Sequence, residues 1–173
     1  CEQADVAPDI LCVAKGITGG AIPLAATLAS GRIFEAHLST DRAKMFFHSS
    51  SYTANPIACA AAAANLSIWA EEDVLGRIAV LSQGISDRLA GLDTAAFTSP
   101  RQQGTIAAVD LVTGDHGYLS SVAPALRAFF LERGLLLRPL GNTIYVMPPY
   151  CTDAGQLTCI FDAIAEAGML FAR

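Results

Sequence analysis

The chain has 173 residues, of which 53% are hydrophobic and only 16% charged, and its net charge is −5. The apolar surplus excludes an intrinsically disordered chain, and the acidic balance without a Lys/Arg run excludes a basic nucleic-acid footprint. More apolar surface is present than one small globule needs, so a partner surface is expected.

Pro8-Asp9 opens the apolar run Ile10–Ala14, which the pattern predicts as a buried strand ending at Lys15-Gly16. Gly19-Gly20 precedes a second apolar run over 22–28, broken by Pro23, that reads as another strand. Residues 31–38 read as a short helix, 39–44 as a polar loop and 46–56 as a loop of small polar residues. The alanine-rich stretch 57–70 is predicted to be a helix, since alanine is the best helix former and Pro56 suits a first helical turn. Glu71-Glu72-Asp73 places negative charge where a second helix starts, and Val74, Ile78, Leu81, Ile85 and Leu89 recur at helical spacing up to Gly91. Residues 104–112 read as a strand, and 120–133 as an amphipathic helix closed by Gly134. Residues 135–137 and 143–147 read as two short strands, with Gly141-Asn142 as the turn. Thr152-Asp153 caps a last helix to about Phe171.

The first residue is Cys1 rather than Met, so the sequence reads as a piece of a longer chain. No charged segment followed by an apolar one marks a secretory signal. The longest apolar stretch, 56–70, is shorter than the roughly 20 residues that span a bilayer, so no membrane partner is expected. The five cysteines are scattered and the three histidines isolated, which predicts neither a disulfide framework nor a metal site and makes a reducing cytoplasm the default.

Three residues stand out chemically. Lys15 is one of two lysines; Lys44 lies in a polar loop, whereas Lys15 ends a strand among glycines. Desolvation at such a place frees a neutral amine to act as a nucleophile; the plainer alternative is a surface lysine at a strand end. Thr53 precedes the alanine helix, whose N-terminal N–H groups and dipole attract an anion such as phosphate. Plain capping by Thr53 or Asn55 is the alternative. Arg138 follows three leucines and precedes Pro139; its planar fork suits a carboxylate, either of a substrate or of an internal salt bridge. Residues 16–20 lack the Gly-Lys-Ser/Thr ending of a Walker A loop, and Asn65-Leu66-Ser67 matches a glycosylation acceptor but falls inside a predicted helix.

Taken together, three segments resemble the class III aminotransferases, pyridoxal-phosphate enzymes of fold type I. Residues 7–20, with Lys15-Gly16-Ile17-Thr18-Gly19-Gly20, resemble the family's Schiff-base lysine segment. Residues 48–61, with Tyr52-Thr53-Ala54-Asn55-Pro56, resemble its phosphate-contacting threonine and the helix after it. Residues 138–150, from Arg138-Pro139-Leu140-Gly141-Asn142 to Tyr150, are similar to one branch's C-terminal substrate motif. That branch moves an amino group from S-adenosylmethionine to 8-amino-7-oxononanoate in biotin synthesis. The segments stand in family order and cover the chain almost end to end.

The resemblance implies an α/β fold of type I. Residues 1–72 would be the C-terminal part of the large, mostly parallel-sheet pyridoxal 5'-phosphate domain. Residues 73–173 would be a connecting helix and the small C-terminal α+β domain. Lys15 would carry the cofactor and shuttle the proton, Thr53 would bind its phosphate, and Arg138 would hold the acceptor's carboxylate. A cytoplasmic homodimer with shared active sites is implied, Thr53 serving the other subunit. The family's aspartate partner of the cofactor ring lies upstream of the region matching Cys1, so this stretch alone is expected to be inactive. The alternatives are another class III aminotransferase, of the ω-amino acid:pyruvate type, and a non-catalytic folded piece.

Overall fold

In a computed structural model the structure describes residue 1, residues 4–48 and residues 50–172. Ser49, within the loop expected at 46–56, lies outside the described residues. The chain divides into two compact units, Cys1–Glu72 and Asp73–Arg173.

In the first unit, β1 (Ile10–Ala14) pairs antiparallel with β2 (Ala25–Ala29), Ile10 facing Ala29 and Ala14 facing Ala25. The ladder is extended by Ser30, whose N–H donates to the Asp9 carbonyl at 2.8 Å. A tight helical turn, Gly16–Thr18, succeeds β1. Helix α1 (Gly31–His37) and helix α2 (Pro56–Glu71) complete the unit. β1 is not buried as its composition predicts: Ile10 is 55% exposed and Leu11 38%. A two-stranded ladder cannot cover both faces of an apolar strand, and only Thr18, Ala58 and Ala62 are buried among the unit's described residues. Helix α2 has its expected extent. Pro56 opens it, and Asn55 caps it, the side-chain oxygen accepting from the N–H groups of Ile57 and Ala58 at 3.1 Å each.

The second unit has a true core. Helix α3 (Val74–Ala90) is capped by Asp73, which accepts from the Gly76 N–H at 2.9 Å. Strands β3 (Phe97–Gln103), β4 (Ile106–Leu111) and β5 (Thr143–Val146) form an antiparallel sheet with β4 in the centre. Helix α4 (Ala123–Glu132) ends at Gly134, whose φ of 74° is the left-handed conformation a glycine adopts freely. Helix α5 (Ala154–Phe171) opens with a capping box, Asp153 and Gln156 each bonding the other's backbone N–H. Leu81, Ile85, Val109, Leu111, Leu126, Phe130, Ile144, Leu157 and Ile164 meet in one cluster. Helix α5 has the length and composition to cross a membrane, but Leu157, Phe161, Ile164 and Ala167 are buried in that cluster.

Two elements depart from the sequence pattern. Residues 135–137, predicted as a strand, form none: after the turn at Gly134 they find no ladder partner, apolar content notwithstanding. Strand β3 was hidden because its sequence is polar and holds Pro100; it is an edge strand with an irregularity between Thr98 and Arg101, where proline is tolerated.

Arg101 and Arg133 each make an ion pair in this unit. Arg101 makes a two-pronged contact with Asp110 at 3.0 and 3.1 Å, and the Thr143 hydroxyl donates to the same carboxylate at 2.7 Å. Burial pushes the Asp110 carboxyl up, but the bonds from Arg101 and Thr143 with the guanidinium charge outweigh it, holding it below the usual range. Arg133 grips Glu166 at 2.6 and 2.9 Å and stacks 3.5 Å from the Phe129 ring centre. Hydrogen bonding to Arg133 likewise holds Glu166 below the usual carboxylate range.

Candidate active site

The first unit contains a cavity of about 1520 Å³. Lys15 and Thr53, singled out separately in the sequence, both line it, with His48, Ser50, Tyr52 and Asn55. Lys15 lies just beyond the end of β1 with φ 55° and ψ −79°. An ordinary side chain pays about 1–3 kcal/mol for such a backbone, and residues held this way cluster at functional sites. The adjoining turn bonds to Lys15: the Thr18 N–H donates to the Lys15 carbonyl at 3.3 Å, and the buried Thr18 hydroxyl donates to the Ile22 carbonyl at 2.6 Å.

Thr53 lies in the turn before α2. Its N–H donates to the Ser50 carbonyl at 3.1 Å, and Ala54 next to it has φ 56°. The expectation of open N–H groups at the helix start needs correction. Pro56 has no N–H, Ile57 and Ala58 donate to the Asn55 side chain, and Cys59 donates to the Asn55 carbonyl at 2.9 Å. Asn55 is therefore the cap, and the helix end offers an anion its dipole rather than free donors. The Thr53 hydroxyl has no hydrogen-bond partner among the described residues.

Arg138 belongs to the second unit. It is exposed and lines a hollow of about 620 Å³ with Arg127, Leu136 and Leu137. It makes no ion pair among the described residues, so the internal salt bridge has no carboxylate here. Its segment is fixed by the turn at Gly141. Leu140 and Thr143 exchange backbone hydrogen bonds at 2.9 and 3.0 Å, and Gly141 has φ 61°. The buried Asn142 donates to the Leu111 carbonyl and accepts from the Gly117 N–H.

A class-III aminotransferase family model matches residues 1–167. The chain belongs to the class-III aminotransferase family. Among its relatives is the adenosylmethionine-8-amino-7-oxononanoate aminotransferase of Synechococcus elongatus, 42% identical over 171 residues, covering 96% of this chain and 39% of that protein. The crystal structure of the Methanocaldococcus jannaschii protein of the same name superimposes with a TM-score of 0.87 at 31% identity, over 95% of this chain and 39% of that one. A PLP-bound amine transaminase from an uncultivated Pseudomonas species is 32% identical with a TM-score of 0.79, over 98% of this chain and 40% of that one. The chain thus spans about two-fifths of the length of the relatives it matches, and its mixed α/β architecture is that of fold type I.

Family membership implies pyridoxal 5'-phosphate, and the cavity fits it at two points. The amine of Lys15 suits the cofactor's aldehyde, and the unengaged hydroxyl of Thr53 beside a helix N-terminus suits a phosphate. Among the described residues no Asp or Glu lines the cavity to meet the ring nitrogen. Sequence reasoning missed two residues that the fold places beside the candidates. Arg127 beside Arg138 carried no signal in a helix of ordinary pattern. Asn65, whose side chain reaches back to the lysine turn, carried a faint one: a poor helix former within an alanine tract.

Proposed function

We propose that the chain is the C-terminal part of a pyridoxal-phosphate aminotransferase that moves an amino group from S-adenosylmethionine to 8-amino-7-oxononanoate, giving 7,8-diaminononanoate in biotin synthesis. The observation that carries the reading is Lys15, an amine held at a strand end in a strained backbone conformation on the wall of a cavity. The choice of substrates is supported by the names of the relatives and by the segment from Arg138 to Tyr150.

When bound, pyridoxal phosphate supplies an electron sink that makes the substrate's α-proton removable. Lys15 is the residue that holds the cofactor's aldehyde carbon and afterwards takes and returns that proton at Nζ. Lys15 stands at a strand end on the cavity wall, where its amine meets the space the cofactor would fill. Thr53 donates its hydroxyl to the phosphate of the cofactor held in the other subunit's active site, aided by the α2 dipole. Arg138 receives the acceptor's carboxylate in its planar fork.

The assembly is a cytoplasmic homodimer in this reading. Exposed Phe34, Phe46, Phe47 and Tyr52 support an apolar interface, and five free thiols suit a reducing compartment. Borohydride reduction of the cofactor-loaded full-length enzyme tests the core of the reading. A pyridoxyl mass tag is expected on the peptide holding Lys15, and a tag on Lys44 overturns the assignment.

The likeness to the Pseudomonas amine transaminase favours a second reading, an ω-amino acid:pyruvate enzyme. Amino-donor profiling of the full-length protein separates the two. S-adenosylmethionine as donor supports the first and β-alanine with pyruvate the second.

A further inference from the structure

The residue after which the catalytic turn is built is strained, and a side chain from far along the chain holds that turn. Asn65 lies two and a half turns into α2. Its side-chain amide donates to the Gly16 carbonyl at 3.1 Å and to the Ile17 carbonyl at 3.2 Å. Both amide hydrogens are thereby used on the two residues after Lys15. The amide oxygen fits against Gly19, where a Cβ would come within 3.1 Å of it. Gly19 itself has φ 62°, so the turn is shaped to accept this one side chain. Asparagine is a poorer helix former than the alanines around it, so local propensity gives no reason for it at this position.

We propose that Asn65 is a positioning residue for Lys15. It clamps the Gly16 and Ile17 carbonyls, holds Lys15 in its positive-φ backbone conformation and so fixes the direction of Nζ into the cavity. The same helix begins just after Thr53, so α2 sets the lysine from its middle and borders the phosphate-binding hydroxyl at its start. The inference rests on the reading of Lys15 as the cofactor lysine.

The test uses the full-length enzyme and the variants Asn65→Asp and Asn65→Ala. Asp keeps the shape and removes both donors, while Ala removes the side chain and favours the helix. Affinity is measured for pyridoxal phosphate, which bonds to Lys15, and for pyridoxamine phosphate, which cannot. The rate of borohydride-trapped pyridoxyl labelling of Lys15 is followed alongside. The expected result is a fall of about tenfold in labelling rate and in pyridoxal-phosphate affinity, with pyridoxamine-phosphate affinity within about twofold of wild type, since a hydrogen-bonded clamp on one turn is lost. Asn65→Gln, which keeps the amide donors, should recover part of the labelling rate. Equal losses for both cofactor forms would make Asn65 a general packing residue and overturn the inference, as would unchanged labelling in both Asp and Ala variants. If the wild-type enzyme is not labelled at Lys15 at all, the functional reading itself falls, and this inference with it.

Discussion

At the scale of single residues, the roles proposed for Lys15, Thr53 and Arg138 can be tested separately. Thr53→Ala in the full-length enzyme should weaken cofactor retention by about 1.5–3 kcal/mol, the worth of a hydrogen bond to a charged group. Equilibrium dialysis of pyridoxamine phosphate measures this free of any bond to Lys15, and undiminished binding would remove Thr53 from the phosphate site. Arg138→Ala should raise the apparent KM for the keto acid by roughly thirtyfold and leave the half-reaction with S-adenosylmethionine much less changed. The low end of about 2–5 kcal/mol applies because Arg138 is exposed. Single-turnover kinetics of each half-reaction decides it, equal damage to both pointing to a structural arginine. The place of Lys15 at a strand end before glycine, and of Thr53 just ahead of a helix, was legible in the sequence. Asn65 was not, because its partners are 48 and 49 residues away and only folding brings them together. The occupied N–H groups of α2 were equally hidden, since a sequence shows which residues can cap but not which one does.

At the scale of elements, the helices α2, α3 and α5 were legible from composition, period and caps, and the strands less so. Strand β3 carries Pro100 and no alternation, and residues 135–137 carry apolar content with no partner to pair with. Pairing is a property of two segments, so one segment's pattern underdetermines it. The turn after Arg138 depends on Gly141, where an added Cβ would collide with the Gly117 carbonyl. Gly141→Ala should therefore cost more than the roughly 1–2 kcal/mol of the left-handed backbone alone, seen as a lower thermal midpoint. An unchanged midpoint would show that the loop around Gly117 yields freely. The depressed carboxyls of Asp110 and Glu166 favour the folded state above the unfolded carboxylate range, and that stabilisation is lost as pH falls through it. The thermal midpoint should drop between about pH 5 and pH 2, and Asp110→Asn should flatten the slope. A slope identical to wild type would leave the Arg101–Asp110 pair without a part in acid unfolding.

At the scale of the whole molecule, the apolar surplus of the composition is divided unevenly. The second unit gathers its apolar residues into a core, while the first buries three of its described residues and leaves Ile10, Leu28, Phe34, Phe46, Phe47 and Ile57 exposed. These 173 residues made alone should self-associate in sedimentation velocity and fail to turn over S-adenosylmethionine with 8-amino-7-oxononanoate. A monodisperse monomer, or measurable turnover, would show that the first unit needs no further chain. Helix α2 differs from its surroundings in being locally sufficient, with 16 residues, a fitted cap and an alanine-rich body. The Asn65 bonds to the lysine turn can form only once this helix has been made. On a ribosome adding about 5–20 residues per second, the 48 residues separating Ile17 from Asn65 take about 2–10 s to synthesise. For those seconds the lysine proposed to hold the cofactor is chemically present without the Asn65 bonds to its turn, and on that proposal the chain acquires the means to aim the amine only when α2 emerges.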